Sequence, residues 1–380
     1  MKLLIIPCPM SQDRHDPRGI ALLSFAHSHQ NGWANVFKQD GRVRVVCAWD
    51  DQSERGQRQA ERAGVPFVPS LDDVLAREDV RAVTICSTND THADLAVAAA
   101  RAGKHIMMQK PMATTLRDCD RIVEAVEAAG VLYYQSHNLR FDAVHQEIKR
   151  LVDAGEIGNV GVARRRHSHA FAMLNPQVLE WMSDPVTGGG GAFMDEGAHV
   201  ALWFLWMFGA PRSVSGVVST TLSEQKPGVE DNGVLLYRYA DGLIGVHQSS
   251  WTELASTSTI ELFGDKGVVV ANGTDISSAR SWIEGEPALR VWRHNPGGPP
   301  GGAPPGAGGQ TGSKPGEWVT SDVQLAPNRL SGTAQAFVDL LVNGGQSPAD
   351  AHTARSAVEM VLAGYQSSRE GREVALPLPR

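Results

Sequence analysis

Three side chains of this sequence could together move a proton. Lys110 follows a short apolar run and precedes Pro111, which fixes the backbone where the lysine side chain must be aimed. Asp195 and His199 are four residues apart, so a helix places both on one face, one turn apart. A lysine, an imidazole and a carboxylate in one cleft can hold a secondary alcohol and take its proton as a hydride leaves. Taken one at a time, these residues are more simply a surface lysine and a helix-stabilising pair.

The residues before about position 155 alternate between short apolar runs and helical patterns. The runs are bounded by polar or turn residues, as buried strands are. The helical patterns end at Gly64, Gly103 and Gly130, and glycine is the residue that most readily closes a helix. Strand–helix repetition predicts parallel strands with right-handed crossovers, and therefore a doubly wound α/β domain. The predicted strands are Ile20–Phe25, Val43–Trp49, Val80–Cys86, His105–Gln109 and Val131–Gln135.

The remainder of the chain is mainly β in pattern. One helix is expected from about Met194 to Phe208, and helical patterns return around Phe337–Leu341 and Ala354–Tyr365. This arrangement predicts an α+β domain in which a large open, mostly antiparallel sheet carries helices on one side. A segment dense in glycine and proline, residues 296–316, predicts a flexible loop. The predicted strands are Arg212–Leu222, Gly233–Tyr239, Leu243–Trp251, Thr257–Phe263 and Gly267–Ala271.

Composition excludes several classes of protein. The 380 residues carry 35 basic and 42 acidic side chains, a formal charge of −7, so there is no basic footprint for a nucleic acid. Apolar residues at 42% and charged residues at 20% are globular values. No apolar run approaches the ~20 residues that a membrane span needs, and Leu3–Ile6 is too short for a signal-peptide core. The four cysteines form no CxxC pair, which predicts reduced thiols in a cytoplasmic protein.

The segment after the first predicted strand departs from the usual dinucleotide loop. A GxGxxG fingerprint lets the pyrophosphate approach a helix N-terminus, but here only Gly32 remains after Ala26-His27-Ser28-His29-Gln30-Asn31. Asp50 ends the second strand, where a carboxylate can accept hydrogen bonds from both adenosine ribose hydroxyls and repel a 2′-phosphate. Asp50 could equally cap the helix that follows it.

Several motifs in the right order resemble the glucose–fructose oxidoreductase/inositol dehydrogenase (Gfo/Idh/MocA) family. The resemblance covers nearly the whole chain except residues 1–19 and the Gly/Pro-rich loop. One departure is Gln109, where the family has the glutamate of Glu-Lys-Pro. The motifs are Ser87-Thr88-Asn89-Asp90-Thr91-His92, Ala102-Gly103-Lys104-His105, Gln109-Lys110-Pro111, Asn138-Leu139-Arg140-Phe141, Gly155-Glu156-Ile157-Gly158, Gly188-Gly189-Gly190 and Asp195-Glu196-Gly197-Ala198-His199.

This resemblance implies an NAD-dependent oxidoreductase acting on a ring hydroxyl of a sugar, cyclitol or glycoside. It implies that Lys110 and His199 are the acid/base pair and that Asp195 orients the sugar hydroxyl. Residues 1–137 would form a Rossmann-like dinucleotide-binding domain, with helices in 335–367 packing near it, and 138–380 the substrate-binding and oligomerisation domain. The expected cofactor contacts are Phe25, His27, Ser28, His29, Asp50, Ser87, Thr88, Asn89, His92, Gln109, Lys110, Pro111 and Asn138, and the expected substrate contacts are Lys110, Arg140, Arg166, Asp195, His199 and Trp251.

Other interpretations stay open at the level of sequence. Some relatives oxidise a sugar transiently, eliminate an aglycone and return the hydride, which makes a redox-neutral NAD-dependent glycosidase. A catalytically silent NAD/sugar sensor is a third possibility, although the joint presence of Lys110, Asp195 and His199 argues against it. NADP is a less favoured cofactor than NAD, and the open sheet resembles a subunit interface, which favours a homodimer or homotetramer.

Two groups of repeated residue types each have a structural and a functional interpretation. The H-x-H pairs His27/His29 and His167/His169 would each project to one face of a strand, as metal ligands can, but spacing fixes no third ligand and we expect no metal. In Arg164-Arg165-Arg166, alternation sends the middle residue to the opposite face from its neighbours. A solvated face or subunit contact is the simpler interpretation, and an arginine that meets an anionic substrate group is the sharper one.

Overall fold

The computed structural model describes residues 18–295, 316–325 and 329–379. The apolar run Leu3–Ile6 and residues 296–315 of the predicted flexible loop lie outside this part of the chain. The chain divides into two compact units. The first comprises the described residues up to Ser136 together with Leu330–Arg355, and the second comprises the described residues within His137–Arg329 and from Ser356 onward.

The first unit is built on a parallel sheet of five strands. Their order is β2-β1-β3-β4-β5, with β3 at the centre and β1 between β2 and β3. The predicted doubly wound sheet is confirmed, and each apolar run became a strand because its side chains are buried on both faces. The strands are β1 (Arg18–Leu23), β2 (Val43–Trp49), β3 (Ala82–Ile85), β4 (His105–Met108) and β5 (Tyr133–Gln135).

Capping residues mark the ends of several helices of this unit. Ser70 and Thr115 accept hydrogen bonds from the backbone N–H groups of Asp73 and Asp118, in each case three residues ahead. Gly64 closes its helix with φ of 66°, in the left-handed region that glycine tolerates best. The helices are α1 (His29–Gln39), α2 (Ser53–Ala63), α3 (Leu71–Ala76), α4 (His92–Arg101) and α5 (Leu116–Ala129), and a 3-10 turn spans Asn89–Thr91.

The second unit is built on a nine-stranded sheet, as the predicted α+β class requires. Its order is β13-β12-β11-β10-β6-β9-β8-β7-β14, and every pair is antiparallel except β6 with β9. Three strands at the ends of the sheet were not predicted from the sequence: β12, β13 and β14. The strands are β6 (Val160–Ser168), β7 (Ser213–Ser219), β8 (Asn232–Arg238), β9 (Ile244–Ser250), β10 (Ile260–Gly264), β11 (Gly267–Ala271), β12 (Leu289–His294), β13 (Gly316–Thr320) and β14 (Val374–Ala375).

The predicted helix at about 194–208 begins as a π-helical turn over Phe193–Gly197 and continues as an α-helix. Trp203 and Phe204 of this helix are fully buried in the core of the unit, with Leu235 and Tyr237 of β8. The helices of this unit are α6 (Ala143–Asp153), α7 (Phe171–Leu174), α8 (Ala198–Phe208) and α9 (Ile276–Arg280), and 3-10 turns span Asn138–Phe141 and Pro176–Leu179. From Leu330 onward, α10 (Arg329–Asn343) belongs to the first unit, and α11 (Ala351–Glu370) passes from the first unit into the second after Arg355.

The outward side chains of this sheet are largely apolar. Val217 of β7 pairs with Val234 of β8, and both are exposed, as are Leu236, Ile244 and Phe263 on neighbouring strands. Across the described residues, no helix has the length and apolar character that crossing a membrane would require.

Candidate active site

The first unit gathers most of the expected cofactor residues at one edge of its sheet. Ser24 to His29 follow β1, Asp50 follows β2, Cys86 to Asn89 follow β3, Gln109 to Pro111 follow β4, and Ser136 follows β5. Because all five strands are parallel, their carboxyl ends share this edge. Open parallel α/β sheets bind their ligands there.

The loop after β1 compensates for its missing glycines in a specific way. Ser24, the first residue after the strand, has φ of 64°, the only non-glycine residue in the described chain with a positive φ. A left-handed residue here makes the tight turn that the first glycine of the fingerprint would make. Such strain in a non-glycine residue persists where surroundings over-determine it, often at functional sites. The predicted strand Ile20–Phe25 includes Ser24, so no local feature of the sequence marks this residue as the turn.

His27 lies in the loop after β1, and His29 is the first residue of α1. Neither residue is on a strand, so the strand geometry considered for the H-x-H pair does not apply to them. Their rings contact edge to face with centroids 4.3 Å apart, and the His29 backbone N–H donates to His27 Nδ1 at 3.1 Å. Phe25 packs its side chain into the core with Leu22 and Ala48, so only its backbone faces the loop. Ser28 is exposed.

A hydrogen-bond network ties this loop to the motif that contains the lysine. His29 Nδ1 lies 3.2 Å from Gln109 Oε1, which also accepts from the Ser136 hydroxyl at 2.9 Å. Ser136 Oγ in turn accepts from the Lys110 backbone N–H at 3.2 Å. Gln109 therefore uses a neutral oxygen where the family pattern would place a carboxylate, and Lys110 is buried to 4% exposure.

The segment after β3 is held by a buried histidine. His92 Nδ1 donates to the Pro111 carbonyl at 2.9 Å, which joins the start of α4 to the residue after Lys110. Burial lowers the pKa of His92 to about 4, so the ring is neutral near pH 7. Ser87 accepts from the Thr91 hydroxyl at 2.8 Å, and Asn89 is buried on the 3-10 turn, while Thr88 is half-buried.

Asp50 is more heavily bonded than a free ribose acceptor would be. Its carboxylate accepts from the backbone N–H groups of Phe25 and Gln52, both at 2.8 Å. Arg55 donates to both of its oxygens, at 2.9 and 2.7 Å. The same guanidinium contacts Asp51 at 2.9 Å, and the Asp51 side chain is 42% exposed. Asp50 therefore organises the end of β2, and Asp51 presents the accessible charge there.

In the second unit, the π-helical turn presents Asp195 and Glu196, and α8 presents His199. A buried carboxylate, Glu230, holds the start of the turn: it accepts from the backbone N–H groups of Gly191 and Phe193 at 2.9 and 2.7 Å. Tyr365 donates a third hydrogen bond to Glu230 at 2.8 Å. Burial raises the pKa of Glu230, because the charged form loses its hydration.

Trp251, an expected substrate contact, has no accessible ring face in the structure. Its side chain is completely buried, because it packs with Leu179, Ala192 and Val229. The indole N–H instead donates to Asp195 Oδ2 at 3.0 Å. Trp251 therefore holds the carboxylate that the sequence singled out.

Three more groups, His167, His169 and Glu196, lie in one cluster with Asp195 and His199, and none of the three is among the predicted site residues. His167 Nε2 lies 3.2 Å from Glu196 Oε2, and His169 Nε2 lies 3.6 Å from Asp195 Oδ2 and 3.9 Å from Glu196 Oε1. The rings of His167 and His199 pack edge to face. Glu196 is the variable residue of the Asp-x-Gly-x-His motif, and its being a carboxylate was the available signal.

The predicted arginine contacts differ in their outcome. Arg166 forms ion pairs with Glu253 and Asp275 and donates to the Ser258 carbonyl, so its charge is already neutralised within the sheet. Its expected role as a substrate contact stays a prediction. Arg140 lies over the Trp206 ring at 5.1 Å and remains half-buried. Asn138 begins a 3-10 turn in the second unit and is 8% exposed.

Family models match both units. A model described as the oxidoreductase family with an NAD-binding Rossmann fold, GFO_IDH_MocA, matches residues 23–137. A model of the GFO/IDH/MocA C-terminal domain matches residues 145–270. The chain belongs to the Gfo/Idh/MocA family. It is therefore an oxidoreductase of that type with a Rossmann fold that binds NAD, as the sequence motifs predicted.

Named relatives within the Gfo/Idh/MocA family are of moderate similarity. The 1,5-anhydro-D-fructose reductase of Ensifer adhaerens is 30% identical over 60% of this chain and 67% of its own. The myo-inositol 2-dehydrogenase of Thermotoga maritima is 28% identical over 59% of this chain and 66% of its own. The matches span about two thirds of these relatives' length. The crystal structure of an aldose-aldose oxidoreductase from Caulobacter crescentus, complexed with glycerol, has a TM-score of 0.75 at 22% identity and covers 95% of this chain and 100% of that one.

Proposed function

We propose that this protein is an NAD-dependent oxidoreductase that transfers hydride between a ring hydroxyl carbon of a sugar or cyclitol and nicotinamide. The observation that carries the proposal lies in the second unit, where the Trp251 indole N–H holds Asp195. Three buried histidines belong to the same cluster: His167 and His169 at the end of β6, and His199 on α8. A buried cluster of side chains that can donate and accept hydrogen bonds suits the binding of a polyol. The relatives' names, an anhydrofructose reductase and an inositol dehydrogenase, support the same substrate class.

The first unit fits a dinucleotide. The left-handed turn at Ser24 leads directly into the N-terminus of α1, and partial positive charge at a helix N-terminus attracts phosphate. Ser28, His27 and His29 are the groups proposed to meet the pyrophosphate, and the residues after β3 and β4 the nicotinamide half. NAD, when bound, supplies the hydride acceptor.

The chain's own residues are proposed to manage the alcohol and its proton. Asp195 orients the hydroxyl, because its carboxylate accepts hydrogen bonds and is itself fixed by Trp251. Lys110 and His199 act as the acid/base pair, removing the hydroxyl proton during oxidation and returning it during reduction. Arg140 is proposed to contact a more distant substrate hydroxyl.

NAD is proposed as the preferred dinucleotide over NADP. Two carboxylates, Asp50 and Asp51, share one guanidinium, Arg55, so the end of β2 keeps a net negative charge. A 2′-phosphate placed there would be repelled.

The test uses purified protein, NAD, and a panel of D-glucose, myo-inositol, 1,5-anhydro-D-glucitol and 4-nitrophenyl glycosides. Nicotinamide reduction and 4-nitrophenol release are recorded in one cuvette. The proposal expects NADH from at least one free polyol. Release of 4-nitrophenol without net NADH identifies the redox-neutral glycosidase instead. Binding of NAD with silence in both channels identifies the sensor.

Two properties of the whole protein belong with this proposal. A second copy of the chain is proposed to cover the apolar outer face of the nine-stranded sheet, giving a homodimer or homotetramer. A cytoplasmic location is proposed because Cys47, Cys86 and Cys119 are buried thiols that form no disulfide among the described residues.

A further inference from the structure

The protonation state of two buried imidazoles can be worked out from their partners. Arg165 lies on β6 and donates from its guanidinium to His167 Nδ1 at 3.1 Å. A guanidinium can only donate, so His167 Nδ1 carries no proton. The Phe171 backbone N–H donates to His169 Nδ1 at 3.2 Å, and the same conclusion holds there. Both neutral rings must therefore carry their proton on Nε2, the atom that faces Asp195 and Glu196.

This tautomer argues against a metal ion at the same place. The ligand atoms of His167, Glu196 and His199 lie within 4.8 Å of one another, as do those of His169, Asp195 and Glu196. Such a grouping of imidazole and carboxylate suits zinc in composition. A metal-binding imidazole, however, normally donates its other N–H to an acceptor, and here the other nitrogen faces a donor. Ligation through His167 Nε2 would set an N–H against the Arg165 guanidinium.

Burial of the Arg165 guanidinium costs folding free energy, which indicates that this residue has a specific role. It is 1% exposed, and within the part of the chain that the structure describes no carboxylate lies at ion-pair distance from it. Its other hydrogen bonds go to the Arg166 and Thr259 carbonyls and to the Thr274 hydroxyl. A buried cation without an ionic partner costs stability. The neighbouring Arg164 points to the opposite face, where it pairs with Glu261 and stays exposed.

Asp195 and Glu196, the two carboxylates that these imidazoles face, are consecutive in sequence, yet both lie near the His169 ring. In a regular helix, successive side chains diverge by ~100°. The π-helical turn Phe193–Gly197 widens the backbone, and both Asp195 and Glu196 come within 4 Å of His169 Nε2. Single π-turns within helices are common at functional sites.

We propose that Arg165 and His167 form a positioning relay that holds Glu196 ionised and fixed, so that Glu196 and Asp195 together bind two neighbouring hydroxyls of a polyol. The inference rests on the proposed function and narrows its substrate class to compounds with vicinal hydroxyls. The guanidinium polarises His167, which makes its Nε2–H a stronger donor to Glu196. Burial, and next the charge of Arg165, hold the pKa of His167 well below its usual range, so the relay stays neutral at the imidazole.

The first experiment tests the relay without any substrate. The full-length protein is labelled with 15N-histidine, and imidazole 1H–15N correlation spectra are recorded at pH 7, with His167 assigned from the peaks lost in His167→Gln. The relay predicts the Nε2–H tautomer for His167, unchanged on treatment with EDTA or on addition of ZnCl2. An Nδ1–H tautomer, an imidazolium, or a shift on adding ZnCl2 would overturn it, the last in favour of a metal site.

The second experiment tests the substrate role with the best polyol of the panel, D-glucose or myo-inositol, and its monodeoxy analogues. Glu196→Gln is expected to raise KM about ten- to hundredfold for the full polyol and to change kcat much less, since a hydrogen bond to a charged group is lost. Removal of the hydroxyl that Glu196 binds should erase that difference. Arg165→Met should raise KM in the same direction, with Arg165→Lys partly restoring it, while the matched Arg164→Met leaves KM unchanged.

The outcomes separate the two proposals. Equal effects of Arg164→Met and Arg165→Met, or an unchanged KM in Glu196→Gln for every polyol, would refute the relay's role in binding. If the wild-type protein reduces no nicotinamide with any probe, the proposed function fails, whereas the imidazole spectrum still decides whether the relay exists.

Discussion

At the scale of single residues, what a side chain can bind depends on the partners that already hold it. From sequence alone, Asp50 could equally be a ribose acceptor or a helix cap. Its bonds to Gln52 and Arg55 show that it organises the end of β2, with Asp51 as the accessible charge. Arg166 and Trp251 illustrate the same limit, because their pairing and packing partners lie far along the chain and leave no trace in local spacing.

Charge at the end of β2 should set the choice of dinucleotide. Asp51→Asn removes one carboxylate and leaves Arg55 able to attract a 2′-phosphate, so the affinity for NADP relative to NAD should rise about five- to tenfold, on the order of 1 kcal/mol. Isothermal titration with each dinucleotide measures the ratio. Glu54→Gln, on an exposed side chain three residues further on, is the control and should leave the ratio unchanged. An unaltered ratio in Asp51→Asn would show that discrimination arises elsewhere.

At the scale of elements, apolar runs and capping residues predicted the parallel sheet almost strand by strand. The strands that escaped prediction lie towards the ends of the larger sheet. β13 has mostly exposed side chains and β14 has only two residues, so pairing with a neighbour, rather than their own pattern, makes them strands. The cluster around Glu196 escaped for a related reason: β6 and the π-helical turn meet only in the folded unit.

His92, which begins α4 and bonds to the loop after β4, should make the stability of the protein depend on pH. The ring is buried neutral, with a pKa of about 4, and would titrate near 6.5 when unfolded. The unfolded chain therefore binds more protons between these values, and the stability from His92 is present above pH 6.5 and lost as the pH falls towards 4. The loss between pH 7.5 and pH 5 should be about 2 kcal/mol. Urea unfolding of wild type and His92→Asn should show a difference that shrinks over this range; a constant difference would contradict the assignment.

The start of the π-helical turn should depend on Glu230. Glu230→Ala leaves the N–H groups of Gly191 and Phe193 and the Tyr365 hydroxyl without their acceptor, which should cost about 2–3 kcal/mol of unfolding free energy. Glu230→Gln keeps one acceptor oxygen and should cost less. Urea denaturation compares the two with wild type. Loss of stability that is equal in both variants would contradict this account, because the acceptor oxygen that Gln retains would then contribute nothing to holding the turn.

At the scale of the whole molecule, the outer face of the nine-stranded sheet is the feature that a single chain leaves unexplained. Val217, Val234, Leu236, Ile244 and Phe263 are all more than a third exposed and lie on adjacent or nearby strands. Apolar patches on monomers are normally smaller and mark interaction sites when they are contiguous. The sequence predicted this sheet and its class, but alternation alone could not say which face would stay open.

Assembly through that face should be sensitive to charge. The double substitution Val234→Lys with Leu236→Lys places two ammonium groups in the proposed interface and should convert the oligomer to a monomer. Size-exclusion chromatography with light scattering measures the mass. Ile283→Lys, at an equally exposed apolar residue outside the sheet, is the matched control and should leave the mass unchanged. An assembly that survives the double substitution would place the interface elsewhere.

The central claim, hydride transfer from a polyol carbon to nicotinamide, is tested most directly by isotopic label. The protein is incubated with NAD and perdeuterated D-glucose or myo-inositol, and the nicotinamide is analysed for deuterium by mass spectrometry. The account predicts one deuterium per reduced nicotinamide with the wild-type protein, and none with Lys110→Met although that variant still binds NAD. Absence of deuterium in the nicotinamide with both polyols, or deuterium transfer that persists in Lys110→Met, would contradict the account.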